Sequence, residues 1–160
     1  MKTFSEFLIE NQINMSDDSS YSLEGEFNKN KEKMKKFKGN IFRYKSVYYL
    51  VKDGEYVAAL ENYADSIEDK TINIDFAHSN VRGGYKELLL GLLSSKVKRI
   101  ISDSTLTKKA TKFWLKMISD SSVNKILVDN QDVEVFSGKK FDKEQMDLFK
   151  NLDIRIGISL

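Results

Sequence analysis

Thr71-Ile72-Asn73-Ile74-Asp75-Phe76, then Val81-Arg82-Gly83-Gly84, then Tyr85-Lys86-Glu87-Leu88-Leu89-Leu90-Gly91-Leu92-Leu93 is the stretch that decides how this chain folds. The first segment alternates apolar and polar residues with period two, as a half-buried strand does. The glycines break that pattern. From Tyr85 onward the apolar residues Tyr85, Leu88, Leu89, Leu92 and Leu93 recur at helical spacing. A strand that turns through glycines straight into a helix aims several backbone N–H groups, and the positive end of a helix dipole, at one point. Such a point suits an anion, phosphate above all. Lys98-Arg99-Ile100-Ile101-Ser102 reads as a second strand, and Ala110, Phe113, Trp114, Met117 and Ile118 form one stripe of a second helix. The result is a βαβα unit whose two strands are expected to be parallel neighbours.

Working outward, residues 40–52 and 55–63 read as a hairpin closed by Asp53-Gly54, a pair suited to a turn in which both central residues need positive φ. Beyond the second helix, residues 125–129 and 133–136 read as strands joined around Asn130-Gln131. Residues 141–152 read as a helix opening at Asp142, and residues 153–158 as a closing strand. Residues 29–38, where lysines are interleaved with Met34 and Phe37 and Glu32 precedes Lys36 by four, read as a short basic helix. The expected fold is α/β: a mixed, largely antiparallel sheet with one central parallel pair that splays near Ala77 and Ser102, and helices on both faces.

Composition excludes several chemistries. With no cysteine, the chain has no disulfide, no thiolate nucleophile and no cysteine-bound zinc. A single histidine, His78, leaves any metal site to carboxylates, and no metal site is expected. No apolar run approaches the roughly 18 residues that span a bilayer, so no membrane partner is expected. The net charge of +2 hides an asymmetry. Residues 1–27 carry one lysine against six carboxylates, residues 28–45 eight basic residues against one glutamate, and the remainder seventeen of each. The basic run could contact DNA phosphates weakly through residues 29–38, or could simply be a solvated face.

Alternation along the strand at residues 71–77 puts Ile72, Ile74 and Phe76 on one face and Asn73, Asp75 and Ala77 on the other. Asp75 is therefore a candidate general base for a substrate amine, directly or through water. His78, whose ordinary pKa suits proton transfer near neutrality, is the other. A solvated carboxylate and a loop histidine are the plainer roles for these two.

The run Asn80-Val81-Arg82-Gly83-Gly84-Tyr85-Lys86-Glu87-Leu88-Leu89 resembles the coenzyme A loop of the GNAT superfamily of N-acetyltransferases, whose usual pattern is Gln/Arg-x-x-Gly-x-Gly/Ala before a leucine-rich helix. Ile101-Ser102-Asp103 followed by Ala110-x-x-Phe113-Trp114 is similar to that family's next strand and helix, particularly in acetyltransferase-like proteins of large tailed bacteriophages. The resemblance covers residues 41–160. It implies a GNAT-like fold and an acetyl-coenzyme-A-dependent N-acyltransferase of bacteriophage origin. In that role the amides of Val81, Arg82, Gly83, Gly84 and Tyr85 would hold the pyrophosphate, with Arg82 or Lys86 adding charge. Asp75 or His78 would take the amine's proton, and Tyr85 or a water would serve as acid to the departing thiolate. Four positions depart from the pattern: Asn80 replaces Gln or Arg, Tyr85 the last small residue, Thr107 an Asn, and Trp114 the usual acid, a tyrosine. An indole is a poor proton donor to a thiolate. The departures favour an alternative, a non-catalytic phage protein on the same scaffold, packaged in the head or acting on a host protein.

At the other end, Phe4, Phe7 and Leu8 share one face of a short amphipathic segment. Residues 1–10 resemble the cleavable capsid-targeting peptides of internal head proteins of large contractile-tailed bacteriophages, with Leu8-Ile9-Glu10 matching their cleavage rule. This implies location in the virion head or host cytoplasm, a flexible linker at 11–27 and a single domain at 28–160.

Overall fold

Tight turns carry the most direct link from sequence to fold. The computed structural model describes residues 22–64, 66–151 and 153–160. Within them Asp53 (φ 53°) and Gly54 (φ 78°) both adopt the left-handed backbone of a two-residue hairpin turn. The elements in chain order are α1 (Leu23–Asn30), β1 (Lys35–Lys38), β2 (Ile41–Tyr44), β3 (Val47–Lys52), β4 (Glu55–Asn62), β5 (Thr71–Ser79) and α2 (Gly84–Leu93). They continue as β6 (Arg99–Ile101), α3 (Lys108–Ser119), β7 (Asn124–Val128), β8 (Glu134–Gly138), α4 (Lys143–Phe149) and β9 (Arg155–Ser159). The fold is mixed α/β, with mostly antiparallel strands and one parallel pair. The chain divides into two compact units between Ile100 and Ile101.

In the first unit the strands lie in the order β1-β2-β3-β4-β5-β6, antiparallel from β1 to β5. The N–H groups of Lys98 and Arg99 both donate to the Lys70 carbonyl, so β5 and β6 start side by side and run parallel, with α2 as the crossover. Alternation assigns the faces. Phe42, Tyr49, Ala59 and His78 lie in one cross-strand row, and Ile41, Leu50, Ala58 and Ser79 in the next. Helix α1 covers the face carrying Tyr49 and Ala59, burying Leu23 and Phe27 against them. Helix α2 covers the other face. A Cβ on Gly91 would lie 2.7 Å from Ile41 Cδ1, which shows how closely that helix approaches the sheet.

Three sequence expectations change here. The basic helix at 29–38 is instead the last turn of α1, a 3-10 turn at Lys31–Lys33 and the outer strand β1. Extended backbone turns Phe37 onto the buried Tyr48 (ring centroids 5.1 Å apart) and leaves Lys35, Lys36 and Lys38 in solvent. Lysines are well suited to an outer strand, where they discourage pairing with another chain. Within the segment read as linker, residues 23–27 are helical behind an extended Ser22 cap and enter the core through Leu23 and Phe27. The simple alternation along β5 also fails. Glu61 pairs with Phe76 but Asn62 with Ile74, so Asp75 is an extra, bulged residue. Phe76 therefore leaves the face of Ile74 and packs into the α1 cluster.

The second unit has β7 between β9 and β8, all antiparallel. Ile101, Ile126 and Val128 form its core cluster. Thr107 caps α3 by accepting the Ala110 N–H at 3.1 Å, and Trp114 and Met117 are buried on that helix. Asp142 and Gln145 form a reciprocal capping box on α4, which ends at Phe149, short of the predicted 152. Lys125 on β7 is fully buried. Its ammonium donates to the carbonyls of Asp120 (2.6 Å) and Lys139, and burial lowers its pKa despite the opposing pull of Asp120. The amphipathic segment and cleavage motif at 1–10 lie outside the described residues. No helix among the described residues is long and apolar enough to cross a membrane.

Candidate functional site

The end of β5 is tied down before the chain reaches the glycines. The Asn80 N–H donates to the Val57 carbonyl at 2.9 Å, and the Asn80 side-chain amide donates to Glu24 of α1 at 2.9 Å. Ser79 Oγ donates to the Val81 carbonyl at 2.6 Å, and the Gly84 N–H donates to the same carbonyl at 3.0 Å. The turn is thus closed on itself. Gly83 sits at φ 84°, a left-handed conformation that glycine takes without strain, and caps α2.

The two glycines have different neighbours. A Cβ at Gly84 would lie 2.8 Å from Ser79 Oγ and 2.9 Å from Val57 Cγ1, so this residue is pressed onto the sheet. A Cβ at Gly83 would meet nothing within 4 Å. Among the described residues no acceptor takes the backbone N–H of Arg82 or Gly83. Val81 and Arg82 are exposed, and Lys86 is half-buried. Lys52 reaches α2 from the hairpin and pairs with Glu87 at 2.8 Å. This geometry suits an anionic group: donors at a helix start, an open side at Gly83 and a cationic side chain alongside.

Tyr85 is half-buried, and burial pushes its phenol above the ordinary range near 10. A phenol held that high is a poorer acid toward a thiolate, which weighs against the acid role expected for Tyr85. Trp114, which the resemblance sets against that family's usual acid, is a core residue packed edge-on against Phe113.

Asp75 and His78, three residues apart on β5, are both partly buried. Asp75 occupies the bulge. His78 shares the α1 face with Tyr56, whose hydroxyl lies 2.9 Å from Nδ1, the two rings stacking at 5.7 Å and 21°. The sequence reading missed Tyr56. By simple alternation Tyr56 would point away from His78, but Leu50 pairs with Ala58 while Val51 pairs with Tyr56. Val57 is the extra residue, and the bulge turns Tyr56 onto the face of His78. Burial first, then the Glu24 carboxylate and Tyr49, push the Tyr56 phenol up, so it stays protonated at all ordinary pH. Glu24 was missed for another reason: it lies in the segment read as linker. No group of three or more potential metal ligands exists among the described residues.

Compared with protein families, curated proteins and solved structures, the chain shows no significant match.

Proposed function

We propose that this chain is an acetyl-coenzyme-A-dependent N-acyltransferase with a GNAT-like fold. The observation that carries the reading is the glycine turn between β5 and α2, with its open side at Gly83 and its amides at Arg82 and Gly83 that no acceptor among the described residues takes. The group fits the residues present: the pyrophosphate would lie against those amides and the α2 dipole, with Arg82 or Lys86 adding charge. When bound, the coenzyme supplies an activated thioester carbon. The chain's own residues would orient that thioester and hold the acceptor amine, with Asp75 or His78 taking the amine's proton. Water is the better candidate to protonate the thiolate, given the raised phenol of Tyr85.

A second reading, a non-catalytic protein on the same scaffold, draws on one observation: Trp114 is buried where the resembled enzymes carry a phenol. It would suit a phage protein of the virion head or host cytoplasm, with a head or host protein as partner. In either case the exposed lysines of residues 29–38 offer a weak contact for DNA phosphates, one that should weaken as salt rises.

Thermal unfolding with acetyl-coenzyme A and with free coenzyme A separates the two readings. At about 100 times its dissociation constant a ligand adds about 2.7 kcal/mol, which raises the midpoint of a chain this size by roughly 5 to 10 °C. The enzyme reading expects that shift and its loss in Arg82→Glu. No shift at millimolar ligand would leave the non-catalytic reading standing.

A further inference from the structure

Helix α3 carries four lysines, Lys108, Lys109, Lys112 and Lys116, and no acidic residue. Residues 101–160 hold ten basic side chains and nine acidic ones, but outside α3 the count is six against nine. The positive charge of this part of the chain is therefore concentrated on one helix, and burial sets it on one side. The exposed residues of α3 are Lys108, Lys109, Lys112, Lys116 and Ser119, while every apolar residue of the helix is buried or partly buried. At 3.6 residues per turn these five positions lie within about 100° of the circumference.

Nothing described in the fold offsets this charge. Among the described residues none of the four lysines takes part in an ion pair. Lys108, Lys112 and Lys116 follow one another at the i, i+4 spacing at which like charges destabilise a helix. Lys108 and Lys109 also stand in the first turn, where the helix dipole disfavours a cation. A partner would have to supply negative charge set along a line. Each step of four residues rises about 6 Å, so the row from Lys108 to Lys116 is about 12 Å long. A nucleic-acid duplex carries one phosphate charge per about 1.7 Å of axis, enough to engage every lysine of such a row. A basic helix that sinks into a bilayer or into a partner's groove needs a free apolar stripe. Here that stripe, with Trp114 and Met117, is already buried in the fold.

We propose that the lysine face of α3 is a contact surface for the phosphate backbone of double-stranded nucleic acid. Lysine is a point charge without the planar fork that reads base edges, so binding is indifferent to base sequence. The surface is separate from the coenzyme turn and from the lysines of residues 29–38, and it stands or falls without either.

Fluorescence anisotropy of the full chain tests it, with labelled DNA duplexes of about 20 base pairs in two unrelated sequences, between about 50 and 200 mM salt. Contacts by two to four lysines contribute about −1.8 to −3.6 to the slope of log K against log salt. The combined variant Lys108→Gln, Lys109→Gln, Lys112→Gln and Lys116→Gln should make the slope shallower by that amount. At about 50 mM salt it should bind at least about 10-fold more weakly, equally for both sequences. Glutamine is a good helix former and the variant relieves the repulsion, so its thermal midpoint should match or exceed that of the wild type. A lower midpoint would contradict the unoffset row on which the proposal stands. No binding by the wild-type chain, or unchanged binding by the variant, would overturn it. So would binding that is lost only when Lys31, Lys33, Lys35 and Lys36 are replaced instead. Binding to vesicles of phosphatidylcholine and phosphatidylserine that the variant abolishes, with no binding to DNA, would assign the face to a membrane surface and overturn the proposal as well.

Discussion

At Gly84 the sheet leaves no room for a side chain. Its two closest would-be contacts are Ser79 Oγ, held in the turn by its bond to the Val81 carbonyl, and the methyl of a β-branched valine on β4. Neither can withdraw by a simple swing of a long side chain, so overpacking should cost about 1–3 kcal/mol. Gly84→Ala is accordingly expected to lower stability in urea by that amount. Gly83→Ala tests a different property: there is space for the methyl, but φ is 84° and the left-handed penalty is about 1–2 kcal/mol. The double substitution Gly84→Ala with Ser79→Ala should recover part of the loss at Gly84 and none of the loss at Gly83. An unaltered urea midpoint for Gly84→Ala would mean that α2 does not start against β4 and β5 as described.

Among the elements, the layer between α1 and the sheet governs the behaviour of the first unit in alkali. Phe27, Tyr49 and Tyr56 pack there with ring centroids 5.7 to 6.4 Å apart. Burial, reinforced by Glu26 and Glu61 around Tyr49 and by Glu24 around Tyr56, raises both phenols. A phenol that ionises near 10 when unfolded but higher when folded contributes stability that is complete below pH 10 and lost as pH climbs through that value. Lys125 acts oppositely. Its lowered folded pKa penalises the native state at neutral pH, and that penalty is relieved as pH rises toward about 10.4, where the unfolded lysine also deprotonates. The tyrosines outnumber it, so chemical-denaturant midpoints should fall above about pH 10. Tyr49→Phe and Tyr56→Phe should each flatten the fall. A midpoint that kept rising beyond pH 10 in the wild-type chain would contradict the burial of these hydroxyls.

For the whole molecule, legibility in the sequence followed the range of the physics involved. Local rules sufficed for the Asp53-Gly54 hairpin, the leucine stripe of α2, the parallel neighbours β5 and β6, and the Asp142 cap of α4. They failed where a distant partner decided the outcome. Residues 31–38 carry good helix formers, yet pairing with β2 and the burial of Phe37 on Tyr48 make β1 a strand. Helix α1 offers only Leu23 and Phe27 as apolar residues in eight, too little to stand out from a polar segment, and packing on the sheet sustains it. The candidate site divides the same way. Its glycine turn could be read directly, because glycine's conformational freedom is a property of the residue. The Tyr56–His78 pair could not, since it depends on bulges at Val57 and Asp75 that no sequence period marks.

Amide mapping tests the proposed binding of coenzyme at the turn from β5 into α2. In ¹H–¹⁵N spectra of the uniformly ¹⁵N-labelled full chain titrated with acetyl-coenzyme A, the resonances of Arg82, Gly83, Tyr85 and Lys86 should shift first and saturate together. Free coenzyme A should move the same set, because the pyrophosphate is common to both. Perturbations confined to other parts of the chain, or none at millimolar ligand, would contradict the claim.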